Sequence, residues 1–344
     1  MKTRSAYSLV CALALLALVA TAGPAAAGGG PVYTAAERTG CGESLSDYPQ
    51  FAQAGETGCL IPGLREGLVP QGLCWLPEQD VLLFCGYRTD GGASALIASD
   101  RRTGEIAAQA SLLNVDGSPY TGHAGGVCAA GNYIYISNNH LLYRLPLERL
   151  LDCPDGTCAF DAEIPVPVNS SFCFSSDHRL YVGEFEYGDS YHTDSSHRVK
   201  TADGTYRAWI CAYDLSADGT LAPDTAPAFI FAVSERIQGM AVKDGTIYLS
   251  RSYGRKNSSS ILRYTWNDTD APDTSVSFMG RDIPVYCLDK TRAAGSLIAP
   301  PMSESLCVAE DEVYVLFESA AEYYRQPSNP SRSPMDRVFV LKGF

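Results

Sequence analysis

Five stretches of this chain repeat one pattern, and that repetition limits the possible folds more than any other feature. They are "PQGLCWLPEQDVLLFCGY" (70–87), "AGGVCAAGNYIYISNNH" (124–140), "SSFCFSSDHRLYVGEFE" (170–186), "IQGMAVKDGTIYLSRSY" (237–253) and "SESLCVAEDEVYVLFES" (303–319). Each has a small residue, an apolar residue and then Cys or Ala: Cys74, Cys128, Cys173, Ala241 and Cys307. A tight turn follows, and then an apolar triplet centred on Tyr135, Tyr181, Tyr248 and Tyr314, with Leu82 as the exception. Period-two alternation across a turn is the mark of a β-hairpin.

Third strands are legible after each hairpin, in "SALIASD", "LLYRLPL", "AWICAYDL", "SSILRYTW" and "DRVFVLKG". Fourth strands follow in "IAAQASLL", "FDAEIPVPV", "APAFIFAV" and "TSVSFMG". The expected fold is all-β: a single β-propeller of five four-stranded blades. The last repeat lacks a fourth strand, and "GCLIPGL" (58–64), which precedes the first, is expected to supply it and close the ring. Six blades is the alternative, because "RDIPVYCLDKTRAAGSLIAP" (281–300) is long enough to hide strands.

Residues 1–27 read as a signal peptide: Lys2 and Arg4, an apolar core, then small residues suited to cleavage after Ala27. Residues 28–57 form an N-terminal arm and 58–344 the propeller domain. A secreted, extracellular monomer without a membrane span is expected. Loss of Lys2 and Arg4 takes the net charge from −13 to −15, a balance that argues against nucleic acid and anionic membranes. Of the 12 cysteines, Cys74, Cys128, Cys173 and Cys307 fall at one point of the innermost strand. They are expected to stay reduced, as small apolar filler. Cys153–Cys158 and Cys41–Cys59 are the candidate disulfides.

In a propeller the starts of the innermost strands and the loops after the second strands share one face. Gln71, Gly125, Ser170, Gln238 and Glu304 occupy the first set, with His123 close by. Tyr87, Glu184, Glu186, Arg251, Tyr253, Arg255 and Glu318 occupy the second. Two long loops, "YGDSYHTDSSHRVKTADG" and "AAEYYRQPSNPSRSPM", join them. The expected function is binding of a small polar or anionic ligand (a sugar, a peptide end or an organic acid) at the channel mouth. Gln71, Tyr87, His123, Ser170, Glu184, Gln238, Arg251, Tyr253, Arg255, Glu304 and Glu318 are the candidate contacts. The two arginines could fork a carboxylate or phosphate. Equally, Glu184 and Arg251, at matching points of adjacent blades, could form a structural ion pair.

Two other readings stand beside this one. A glycoside or lactone/ester hydrolase would use Glu304 as acid and His123 as base. A scaffold would meet an extracellular glycan or protein through its long loops. No cofactor motif is legible, and "HTDSSH", with His192, Asp194 and His197, reads as a solvated loop rather than a metal site.

The set "VPQGL", "TGHAGG", "SSFC", "IQGM", "SRSYGR", "PPMSES" and "LFESAAEYY" resembles a group of secreted actinomycete-type bacterial proteins. More loosely, the chain resembles the YVTN, NHL and lactonase-like propellers. That wider resemblance implies the fold. It does not imply lactonase chemistry, whose calcium ligands are Glu, Asn and Asp at inner-strand starts; here only Glu304 fits.

Overall fold

The computed structural model describes residues 31–344 except 153–155, 177 and 189. Its sheets form a five-bladed β-propeller. From the channel outward, blade one runs Leu68–Leu76, Val81–Arg88, Ala95–Asp100 and Ile106–Leu113. Blade two runs Gly126–Ala130, Tyr133–Asn138, Leu141–Pro146 and Ala162–Pro165. Blade three runs Ser170–Ser176, Arg179–Glu184, Ala208–Asp214 and Phe229–Val233.

The fourth and fifth blades depart from simple chain order. Blade four consists of Ile237–Lys243, Thr246–Arg251, Ser259–Thr265 and Ala293–Ala299. Its outer strand is therefore not "TSVSFMG". Thr274–Phe278 instead forms a hairpin with Arg281–Cys287, which pairs in parallel with Phe229–Val233 and widens blade three. The long segment 281–300 thus holds two strands but no sixth blade. Both candidate segments alternate, and alternation alone does not choose a partner.

In blade five, Ser303–Ala309, Glu312–Phe317 and Arg337–Leu341 are completed by Gly55–Leu60. This antiparallel pairing of Thr57 with Phe339 and Leu60 with Arg337 closes the ring and removes two exposed edges. The closing strand starts at Gly55, inside the stretch assigned to the arm. The arm itself is docked: Phe51, in the short helix Pro49–Gln53, stacks on Phe339 at 4.0 Å and meets Phe317 edge-on at 6.0 Å.

Cores form between successive blades because both faces of each sheet are apolar. Phe172, Ile210 and Phe231 of blade three pack with Met240, Leu249 and Ile261 of blade four. Around the channel the inner strands come closer still. A Cβ at Gly126 would lie 2.5 Å from the Cys173 nitrogen, and one at Gly239 would lie 2.6 Å from the Ser305 Cα. This approach is why the repeats carry a small residue two places before Cys or Ala.

Cys74, Cys128, Cys173 and Cys307 are buried free thiols, as that position suggests. Cys59 is also a free thiol, so it is not bonded to Cys41, whose Sγ lies 3.7 Å from the Arg325 guanidinium. Burial pushes the Cys59 thiol up to about 12. Cys153 and residues 1–27 lie outside the described residues, as does any Cys153–Cys158 bond. Among the described residues, no helix is long and apolar enough to cross a membrane.

Candidate functional site

Inner strands normally alternate their side chains between the two faces of the sheet. In four blades a register irregularity interrupts that alternation near the top of the strand, skipping Gln71, Ser171 and Gln238, and Glu304 together with Ser305. A bulge of this kind re-aims a side chain, and Gln71, Ser171, Gln238 and Glu304 all line the channel mouth. Just before three of the inner strands the backbone is left-handed at residues other than glycine: Ala124 (φ 49°), Arg236 (φ 66°) and Met302 (φ 66°). Such strain, about 1 kcal/mol or more each, persists only where surrounding structure holds it.

The mouth is a cavity of about 680 Å³. It is lined by Gln71, Tyr87, His123, Ser170, Gln238, Tyr253, Arg255, Glu304 and Glu318 among the expected contacts. Ser170 reaches it, but its Oγ is 2.8 Å from both the Asn139 and the Leu141 carbonyl oxygens, which makes it a clamp between blades two and three. The bulge in blade three falls one residue later than the repeats suggest, so Ser171 takes the mouth position.

Glu184 and Arg251 are not among the lining residues, and they do not pair with each other. Glu184, 1% exposed, accepts from His197 Nδ1 at 2.9 Å, from the Trp209 backbone N–H at 3.0 Å and from the Asn169 N–H at 3.2 Å. Arg251 instead donates to the Glu235 carbonyl at 3.2 Å and reaches its carboxylate at 3.5 Å. The anion fork of Arg251 with Arg255 is therefore not assembled. His197, expected in a solvated loop, is buried with its ring stacked on Trp209 at 3.8 Å. Glu186 also points elsewhere, accepting from the Thr193 N–H at 2.8 Å.

What the mouth does assemble is a hydrogen-bonded chain. The Gln71 amide donates to Glu318 at 2.8 Å and to the Pro70 carbonyl at 3.1 Å. Its carbonyl oxygen therefore faces His123 Nε2, 2.8 Å away. That contact assigns the imidazole proton to Nε2 and leaves Nδ1 as the acceptor. The Glu318 carboxyl is within hydrogen-bonding reach of Glu304, and the Gln238 amide donates to Glu304 at 3.2 Å.

Burial sets the electrostatics of this chain. Desolvation, then the neighbouring carboxylate, holds the Glu304 carboxyl well above its usual range, against the Gln238 hydrogen bond. Desolvation likewise raises Glu318 to about 7, despite hydrogen bonds from Gln71 and Tyr324. Two buried carboxyls this close cannot both ionise freely, so they retain a proton into the neutral range. The His123 ring opens on the cavity, yet protein on its other sides lowers its pKa by desolvation.

Aromatic rings form the walls. Tyr87 stacks on His123 at 4.4 Å, and its hydroxyl lies 3.4 Å from that of Tyr324. Tyr253 packs on Tyr187 at 4.0 Å. The Arg255 guanidinium lies over the Tyr323 and Tyr324 rings, at 5.1 and 4.8 Å, and donates to the Asn329 carbonyl at 2.8 Å. Phe185, Tyr191, Tyr323 and Tyr324 were not singled out from the sequence; the last three lie in the two long loops. The double tyrosine of "AAEYYRQ" was the available signal.

No protein-family model matches the chain, and no curated protein matches it. Solved structures similar to it include β-propeller proteins. BamB from Moraxella catarrhalis is 10% identical over 79% of this chain and 83% of that one, with a TM-score of 0.33. A gluconolactonase from Xanthomonas campestris is 11% identical over 84% of this chain and 91% of that one, with a TM-score of 0.39. Hydrazine synthase from Kuenenia stuttgartiensis is 11% identical over 72% of this chain, at a TM-score of 0.35, and the match spans 55% of that chain. Likenesses this distant transfer no activity.

Proposed function

We propose that this is a secreted propeller that binds a small polar, non-anionic ligand of sugar size in the mouth of its channel. The observation that carries the reading is the cavity itself. About 680 Å³ is lined by tyrosine side chains together with amide and carboxyl groups, a lining suited to stacking on and hydrogen bonding to a polyhydroxylated ring. An anion is disfavoured. Arg251 is spent on Glu235, Arg255 on a carbonyl and two rings, and the floor carries two glutamates. The long loops place Tyr191, Tyr323 and Tyr324 on the cavity wall, which favours a small ligand over a scaffold.

A glycosidase reading meets a distance problem. Carboxyl groups that flank a glycosidic bond stand about 5 Å apart or more, whereas Glu304 and Glu318 are in hydrogen-bonding reach of each other. The path from His123 to Glu304 runs through Gln71 and Glu318.

The test is a thermal-shift screen of residues 28–344 against neutral sugars, amino sugars, polyols and organic acids. A ligand at 100 times its Kd adds about 2.7 kcal/mol of stability. We expect a clear rise in Tm for at least one sugar or amino sugar, lost in Tyr324→Ala. No stabilisation by any sugar or polyol would overturn the proposal.

A further inference from the structure

We infer that the ligand carries one positively charged amino group, seated against the Glu304 and Glu318 carboxyls at the floor of the mouth. This rests on the site proposed above and names the chemistry that fills it.

Among the described residues, Glu304, Glu318 and Arg255 are the charged side chains lining the mouth, supplied by the inner strand of blade five, the exit of its second strand and the loop after the second strand of blade four. Three phenols face them, from Tyr87, Tyr323 and Tyr324; burial pushes Tyr87 up to about 12, so it is neutral. His123 is hydrogen-bonded to Gln71, and desolvation lowers its pKa, which favours the neutral imidazole. Full ionisation of both glutamates therefore leaves one negative charge uncompensated.

Arg255 does not occupy that place. It spreads over Tyr323 and Tyr324 and donates to Asn329, and among the described residues no ion pair joins it to either glutamate. In the free protein a proton on the carboxyl pair does the compensating, because an unpaired buried carboxylate is costly. An alkylammonium supplies the same charge with three N–H donors. Around it stand the carboxyl oxygens of Glu304 and Glu318, and Tyr87 and Tyr324 line the same cavity.

Seating the ligand breaks the O–H bond of the carboxyl proton and releases that proton to solvent. No covalent bond forms to the ligand. Because burial raises both carboxyls, Glu318 to about 7 and Glu304 well above its usual range, the shared proton is given up more readily as pH rises, and affinity for the cation rises with it.

Titration calorimetry on residues 28–344 tests this with matched probes: glucosamine against glucose, and glucamine against sorbitol. Measurements are made in two buffers of different ionisation heat, with a pH series from 6 to 8 for glucamine, whose alkylamine stays protonated throughout. The amino member of at least one pair should bind 10-fold tighter or better, release a proton, and tighten with pH. Glu304→Gln and Glu318→Gln should each reduce the proton release and weaken the pH dependence, and the double variant should abolish both. Equal binding of amino and neutral partners, or amine binding without proton release, would overturn the amine inference while leaving the sugar-sized site intact. No binding by any probe would overturn both.

Discussion

Blades three and five each bury a glutamate at the exit of the second strand, and the two keep different company. Glu184 faces three N–H donors: an imidazole, the backbone of its neighbouring strand and the backbone of the loop entering its own blade. Its carboxylate is satisfied on every side and stands apart from the cavity. Glu318 has one amide and one phenol, and then a second carboxyl group. Burial is comparable, at 1% and 8% exposure, so depth alone does not separate a structural acid from one available for binding. The number and kind of donors does. A fully donated carboxylate holds the fold together, whereas an under-donated pair leaves room for something else to supply the missing charge.

The largest expected effect is at the satisfied acid. Glu184→Ala would strand the buried His197 ring and Trp209 N–H and the part-buried Asn169 N–H, and should lower unfolding free energy by about 3–5 kcal/mol. Chemical denaturation checks this, and a loss below about 1 kcal/mol would erase the contrast with Glu318.

A smaller effect of opposite sign is expected at the strained pair. A carboxyl whose folded pKa is raised binds protons that the unfolded chain has already released. Stability from this pair is therefore complete at low pH; the Glu318 share falls as pH climbs from about 4.5 through 7, and the Glu304 share goes on falling as pH rises further. Glu304→Gln removes one of the two acids. It should raise Tm at pH 8 by about 3 °C and flatten the decline from pH 5 to 8, measured as Tm against pH. A variant that melts below the wild type at pH 8 would place Glu304 with the structural acids.

The smallest effect sharpens the comparison from outside. Arg251→Ala should couple with Glu235→Ala by about 0.5 kcal/mol in a double-mutant cycle, because both groups are partly exposed, and should be additive with Glu184→Ala.

The blades were legible because each repeats one inner-strand pattern, and that pattern is imposed by packing. The small residue and the Cys or Ala answer to the same crowded environment five times over, and the central Tyr four times, with Leu82 in the first repeat. The pairing of Thr274–Phe278 was not legible, since its alternation suits either of two sheets and only tertiary contact chooses. Within the site, Gln71, His123, Gln238 and Glu304 could be read from their place in the repeat. Tyr323 and Tyr324 could not, because their loop follows no repeat. Ser170 was displaced by a bulge one residue late. Glu184 and Arg251 share a row, yet each found its partner in a loop, His197 and Glu235, that the repeats do not describe.

The closing strand has a consequence in time. Gly55–Leu60 and Arg337–Leu341 are separated by nearly the whole chain, so as the polypeptide emerges the early strand must wait for the late one. Blades one to four can assemble in turn, but blade five is sealed last. Blade five is also the blade that carries Glu304 and Glu318. An unfinished ring has no complete mouth, and occupancy of that mouth would report that the ring has closed.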